Sequence, residues 1–247
     1  MYDIERHEKI LEILRQKKSC SVAELAKALC FSEATIRRDL NILDREMRVR
    51  KTFGGAVILE RYSSEVPIEI RRSQNAAAKE RICRAASKLL QDNMTIFLDS
   101  SNTTEHLLPY LERHHGLTVI TNHPDIPARL SGTDITVYST GGKYLHHSHA
   151  YVGEYAKNTI RGINADLFFF SARGLSLGGK LTTSSTEENI QRCMMENAAH
   201  SCLLIDSSKI GKTFPFTVCH LDEIRTVITE KPLPDGMEHP CVIVAQE

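Results

Sequence analysis

The chain has 247 residues, with 31 Lys and Arg against 31 Asp and Glu and a hydrophobic content of 41%. Ordinary globular composition at this length excludes a disordered chain and predicts one large domain, or a small one joined to a large one. A formal net charge of zero excludes a protein that is polybasic throughout, but not one whose cations are concentrated locally.

The N-terminus, MYDIERHEKI, mixes acids and bases and holds no apolar run of secretory length. No run elsewhere approaches the roughly 18–20 apolar residues of a membrane-spanning helix. The cysteines (Cys20, Cys30, Cys83, Cys193, Cys202, Cys219 and Cys241) are odd in number, scattered and without a CxxC. Reduced thiols in a cytoplasmic protein are therefore expected, rather than a disulfide framework or a zinc cluster.

Three helices are predicted in the first 45 residues. Ile10, Leu11, Ile13 and Leu14 give the first an apolar stripe, ended by Gln16-Lys17-Lys18-Ser19. The second opens at Ser21-Val22-Ala23-Glu24, a capping box in which hydroxyl and carboxylate satisfy free amides. Its core face is Val22, Leu25, Ala26 and Leu29. Ser32 caps the third after the short stretch Cys30-Phe31. There Ile36, Leu40 and Leu43 share one narrow sector, and Ala34, Arg37, Arg38, Asn41 and Arg45 share the opposite one.

Alone, Arg37-Arg38-Asp39 reads as a solvated helix face. The segment that follows shifts the balance, because Arg48 to Lys51, the pair Gly54-Gly55 and Ala56 to Ile58 predict a basic strand, a tight turn and a second strand. A helix-turn-helix followed by a basic hairpin is a winged helix. Its third helix presents Ser32, Thr35, Arg37, Arg38 and Asn41 to base edges and phosphates, and its wing presents Arg48, Arg50, Lys51, Gly54 and Gly55.

Residues 59–73 lack periodicity, contain Pro67, and are expected to be a linker between a winged helix-turn-helix domain (1–58) and a larger domain (74–247). A helix is predicted from Gln74 to Leu90 on Ala78, Ile82, Ala85, Ala86 and Leu89. Strands are then predicted at Met94–Asp99, Leu117–Thr121, Ile135–Ser139, Ala165–Ser171, Ser201–Asp206, Ile224–Thr229 and Cys241–Ala245. Helices fit near 103–113, 125–131, 151–160 and 185–199. This alternation predicts an α/β domain with a mostly parallel sheet, whose ligand lies beyond the carboxyl ends of the strands.

Those ends are polar. Asp99-Ser100-Ser101-Asn102-Thr103-Thr104 opens a helix with hydroxyls and free amides suited to phosphate. Thr121-Asn122 ends the next strand, and Gly141-Gly142-Lys143 offers close backbone approach to a ligand. Asp206-Ser207-Ser208-Lys209 supplies a cation. Any one of these alone reads equally as turn chemistry; their recurrence at successive strand ends makes a site. The histidines His146-His147-Ser148-His149 and His114-His115 invite a metal reading. Adjacent histidines diverge, however, and no carboxylate or cysteine completes a ligand set, so no metal and no cofactor is expected.

Both halves resemble the DeoR family of bacterial transcriptional regulators. In the first half the resemblance rests on Ser32-x-x-Thr35-Ile36-Arg37-Arg38-Asp39-Leu40, then Arg50 and Gly54-Gly55-Ala56, with Met47 and Phe53 standing where the family usually has Gly and His. In the second half the family's sugar-phosphate loop D-x-G-T-T is matched by Asp99, Ser100, Ser101, Thr103 and Thr104, with Ser101-Asn102 where the family has its Gly. Thr121-Asn122, Gly141-Gly142, Gly153, Glu187 and Asp206-x-Ser208-Lys209 match further positions. The resemblance implies a sensor domain akin to ribose-5-phosphate isomerase and CoA-transferase subunits. It implies Glu187 on sugar hydroxyls and Lys209 on phosphate.

The expected function is a cytoplasmic, homo-oligomeric DNA-binding regulator, a repressor of a sugar catabolic operon relieved by a phosphorylated sugar. A sugar-phosphate isomerase or deaminase is the alternative. The zero net charge is itself a sum of unlike parts: residues 1–72 carry 15 Lys and Arg against 12 Asp and Glu, an excess of +3 that leaves −3 for the remainder.

Overall fold

The computed structural model describes residues 3–45, 48–52, 54–58, 68–146, 148–184 and 190–246. The chain divides into two compact units, residues 1–66 and 67–247.

In the first unit α1 (Asp3–Lys17), α2 (Val22–Leu29) and α3 (Glu33–Arg45) enclose a core with Ile10, Leu14, Leu25, Ile36, Leu40 and Leu43 fully buried. The capping box of α2 forms as its sequence requires. Ser21 Oγ accepts the Glu24 N–H at 3.2 Å, and the Glu24 carboxylate accepts the Ser21 N–H at 2.8 Å. Those bonds to Ser21 hold the Glu24 pKa down to about 2. Cys30, left-handed at φ 58, ends α2, and Ser32 Oγ accepts the Thr35 N–H at 3.2 Å to begin α3. The expected hairpin is β2 (Val49–Thr52) against β3 (Gly55–Ile58), and β1 (Ser19–Ser21) pairs with the free side of β3. Three residues are too few to show the period of two, so β1 left no sequence signal.

A buried ion cluster joins α1 to α3. Asp39 accepts Arg6 Nε at 2.6 Å and Nη2 at 2.9 Å, with His7 Nε2 at 3.1 Å. Burial opposes charge on Asp39, but the hydrogen bonds from Arg6 and His7 prevail and hold its pKa below the usual carboxylate value.

The second unit begins with α4 (Ile68–Ser73), so the stretch expected to be linker ends in a helix; residues 59–67 lie outside the described residues. The further helices are α5 (Ala76–Ala86), α6 (Leu108–Leu111), α7 (Ile126–Arg129), α8 (Glu154–Arg161) and α9 (Ile190–Glu196). All seven expected strands are present: β4 (Thr95–Leu98), β5 (Thr118–Thr121), β6 (Thr136–Ser139), β9 (Ala165–Phe170), β12 (Ala198–Leu204), β14 (Thr226–Thr229) and β15 (Val242–Val244). They form one parallel sheet in the order β15-β14-β12-β9-β4-β5-β6.

Successive side chains go to opposite faces, as the strand period demands. Phe97, Phe168, Phe170, Leu203 and Val227 enter one core, with Ile160 of α8 and Met194 of α9. Ile96, Leu98, Phe169, Leu204 and Ile228 enter the other, with Ile82 of α5 and Leu111 of α6. Burial on both faces is why these strands read as continuous apolar runs.

Short antiparallel pieces complete the unit. They are the hairpin β7 (Lys143–Leu145) and β8 (Ala150–Val152), and a sheet of β10 (Gly174–Leu175), β11 (Lys180–Thr183) and β13 (Phe216–His220). The helix expected over 151–160 thus starts only at Glu154, after β8 and Gly153 at φ 90. The helix expected over 185–199 is described at 190–196, with β12 taking over from Ala198; residues 185–189 lie outside the described residues. All seven cysteines are free thiols. Among the described residues no helix is long and apolar enough to cross a membrane.

Candidate functional site

Packing of Ile36, Leu40 and Leu43 against α1 and α2 turns the other side of α3 outward. Arg37, Arg38 and Asn41 are exposed there and Thr35 is half-buried, its hydroxyl 2.9 Å from that of Ser32. Arg37 reaches back to Glu33 at 3.1 Å across one exposed turn, an arrangement worth only a few tenths of a kcal/mol and readily exchanged for a phosphate. The wing touches this face directly, since Lys51 Nζ donates to Asn41 Oδ1 at 2.5 Å and the Lys51 N–H to Asp44 at 2.9 Å. Arg50 is exposed on β2.

Two wing expectations need correction. Arg48 is 1% exposed and pairs with Glu8 of α1 at 2.6 Å. It ties β2 to α1 and presents no charge to a phosphate. Gly55 is buried, and a Cβ there would lie 2.4 Å from the Cys20 carbonyl oxygen, so its bareness admits β1 rather than DNA. Gly54, at φ 94 with open space about it, is the true turn residue. Met47 and Phe53 lie outside the described residues.

In the second unit the chain runs outward in one direction through β4, β5 and β6, and in the other through β9, β12, β14 and β15. The neighbours β4 and β9 therefore mark the topological switch point, where a parallel sheet leaves a crevice beyond its carboxyl ends. Asp99 leaves β4 there and is saturated. Its Oδ1 accepts the Ser101 N–H and the Thr104 hydroxyl, each at 3.0 Å, and its Oδ2 accepts the Ser171 N–H at 3.0 Å and Gln191 Nε2 at 2.7 Å. Asp99 and Thr104 thus shape the loop, and their polar atoms are spent doing so.

The cations converge from two elements. Lys209, after β12, donates to Ser171 Oγ at 2.8 Å and Thr103 Oγ1 at 3.2 Å, and its ammonium lies 3.6 Å from Asp206 Oδ2. Asn75, left-handed at φ 54 ahead of α5, donates to Asp206 Oδ1 at 3.1 Å and to Ser208 Oγ at 2.8 Å. One turn on, Lys79 is 4% exposed and donates to the Arg71 carbonyl at 2.5 Å. Burial, then the charge of Lys209, lowers the Lys79 pKa to about 8. Burial likewise lowers that of Lys209, against the pull of Asp206 and Asp99.

Buried oxygens without a hydrogen-bond partner among the described residues stand at these strand ends: Asp206 Oδ2, Asn122 Oδ1 and, at the end of β14, Thr229 Oγ1. Asn122 is held through its Nδ2, which donates to the Tyr151 carbonyl at 3.1 Å and to Ser100 Oγ at 3.4 Å. A buried ammonium group and a half-buried one, with hydroxyls and open acceptors around them, can take an anionic, hydroxyl-bearing ligand.

The hydrogen bonds thus join Asp99, Ser100, Ser101, Thr103, Thr104, Asn122 and Lys209, and Asn102 is buried in the same loop. Thr121 is turned inward, accepting the His123 N–H at 3.0 Å. The backbone approach expected at Gly142 is real, but what it meets is protein: a Cβ would lie 2.6 Å from the Val152 carbonyl. Lys143 is exposed on β7, Gly141 faces open space, and Glu187 lies outside the described residues. Lys79 and Asn75 were missed. The signal for Lys79 was available, because it shares the i, i+3, i+4, i+7 stripe of Ile82, Cys83 and Ala86, and a lysine in core phase is rarely idle.

A family model described as a DeoR-like helix-turn-helix domain matches residues 6–62, and one described as the DeoR C terminal sensor domain matches residues 74–231. The L-fucose operon activator of Haemophilus influenzae is 33% identical over 238 residues, 96% of this chain and 95% of its own. The regulator IolR of Bacillus subtilis is 30% identical over 96% of this chain and 94% of its own, and the lactose phosphotransferase system repressor of Staphylococcus aureus 30% over 92% and 91%. Among solved structures, ribose 5-phosphate isomerase A of Methanocaldococcus jannaschii aligns with a TM-score of 0.42 and 16% identity over 56% of this chain and 55% of its own, a distant likeness.

Proposed function

This chain belongs to the DeoR family of transcriptional regulators, and from that premise we propose that it represses a sugar catabolic operon and releases its operator when a phosphorylated sugar binds the second unit. The observation that carries the sensor half is the convergence of Lys79 and Lys209 on the switch point of the sheet. The phosphate lies against these ammonium groups with Thr103 and Ser171, and the sugar hydroxyls donate to Asp206 Oδ2 and Asn122 Oδ1. Thr35, Arg37, Arg38 and Asn41 enter a major groove, while Arg50 and Lys51 hold phosphates beside it. A ligand relieves repression only by favouring the state of lower DNA affinity, so the two units act as one allosteric pair. Paired half-sites on DNA call for a homo-oligomer.

The protein is not an enzyme in this reading. A general base needs an available carboxylate; Asp99 has both oxygens engaged, and Asp206, whose Oδ2 is open, sits beside the Lys209 ammonium and serves in this reading as an acceptor for the ligand. The experiment is gel retardation with the promoter beside its own gene, repeated with a panel of sugar phosphates and their unphosphorylated sugars. One phosphorylated compound is expected to release the band, and K209M to keep the band but lose the response. Release by a free sugar alone, an unaltered response in K209M, or turnover of the added sugar phosphate would overturn the proposal.

A further inference from the structure

A second polar cluster follows directly on Asn122. His123 is buried, Asp125 and His149 are half-buried, and one ligand atom from each lies within 4.8 Å of the other two. The two rings meet edge to face at 5.3 Å. His123 Nδ1 accepts the Asp125 N–H at 3.1 Å, so the ring proton is on Nε2, where Glu105 stands at 3.0 Å to accept it. His149 presents Nε2 to Asp125 Oδ2 at 2.8 Å and Nδ1 to the Tyr144 hydroxyl at 2.6 Å. Each imidazole is therefore braced from behind by an oxygen, the outer-sphere arrangement that orients metal-ligating histidines.

We propose that His123 Nδ1, His149 Nε2 and Asp125 Oδ2 form a binding site for a divalent transition metal, zinc by preference, with water in the fourth position. Two imidazoles and one carboxylate are the donor set of an open zinc site, and too nitrogen-rich for magnesium or calcium. Ligand atoms of a tetrahedral site with bonds of 2.0–2.1 Å stand about 3.3 Å apart, so the widest pair here closes by about 1.5 Å, and the His123 Nδ1 lone pair passes from the Asp125 N–H to the ion, leaving that amide to water beside the half-exposed Asp125. Arg72 supplies positive charge beside this cluster. Its Nη2 donates to Asp125 Oδ2 and its Nε to Glu105 Oε1, each at 3.2 Å. The Arg72 side chain is 39% exposed and can swing into water when the ion enters, while Arg129, 3.1 Å from Glu105 Oε2, keeps that carboxylate paired. Coordination places the His149 proton on Nδ1, donated to the Tyr144 oxygen, so a neutral ring releases none. None of the three ligands belongs to the sugar-phosphate site, and the two sites stand or fall separately.

Calorimetric titration of the full chain, freed of chelator, with zinc chloride near pH 7.5 tests this. One equivalent per chain is expected, with H149A and D125N binding at least about tenfold more weakly and R72A as tightly as the parent or more so. Y144F leaves every ligand and charge in place and should weaken binding by about 10–100-fold, as loss of an outer-sphere partner does; circular dichroism verifies the fold of each variant. Absence of stoichiometric binding, equal affinity in H149A and D125N (binding then at the exposed Cys30 and Cys241 thiols), or tenfold weaker binding by R72A would overturn the site.

Discussion

Replacing Lys79 with Met should stabilise this protein and silence its sensor. Lys79 is 4% exposed and its pKa is lowered from 10.5 to about 8, first by burial and then by Lys209. At pH 7 both folded and unfolded chains carry the proton, so the folded state bears the cost of the buried charge. A depression of that size corresponds to roughly 3 kcal/mol, at about 1.4 kcal/mol per pH unit. Methionine fills similar space without charge but forfeits the bond to the Arg71 carbonyl, worth about 1–1.5 kcal/mol. The net gain expected is about 1–2 kcal/mol. The parent should also grow more stable as pH rises from about 8 toward the unfolded value, because there the unfolded chain binds the proton that the folded chain has lost. K79M should show a smaller rise, the part that remains coming from Lys209, whose pKa burial also lowers. Urea denaturation at pH 7 and pH 9.5, followed by far-ultraviolet circular dichroism, measures both effects, and gel retardation with the active sugar phosphate measures the response. A K79M protein that is less stable than its parent and still responds would refute the reasoning.

Asp39→Ala removes the partner of a buried Arg6 guanidinium and should cost the first unit about 3 kcal/mol, read as a lowered calorimetric midpoint. Because the folded Asp39 pKa is depressed, its contribution is fully present above the ordinary carboxylate value and fades as pH falls through the folded one. Arg38→Ala should weaken operator binding by about 1–3 kcal/mol if the side chain reads a base; equal affinities would remove it from the interface. Arg48→Met should leave the slope of log affinity against log salt unchanged, whereas loss of a phosphate contact lowers it by about one.

The sheet was legible because its strands are buried on both faces. Runs such as Leu167 to Phe170 allow no other placement once helical stretches alternate with them. The short pieces β1, β7, β8 and β10 were not legible, since two or three residues carry no period. Arg48 misled because sequence gives sign and not direction. In a hairpin named for its basic residues, nothing local tells that this one turns toward Glu8, 40 positions earlier. The same holds for His149, whose partners His123 and Asp125 reach it only through the fold. Asp99 was legible as a strand-end position, yet its saturation by Ser171 and Gln191 comes from segments more than 70 residues away.

The reversal of chain direction at β4 and β9 makes the large sheet two consecutive lengths of polypeptide laid edge to edge. One carries β4 to β6 and the other β9 to β15, and along their seam only Ile96, Leu98 and the residue between them pair with Leu167 to Phe169. Asn122 and Thr103 belong to the first length, Asp206 and Lys209 to the second. A ligand held by all four would act as a rivet through the seam, drawing its binding energy from the same closure it enforces. Amide protection along Ile96–Leu98 would then report occupancy of the crevice from inside the sheet.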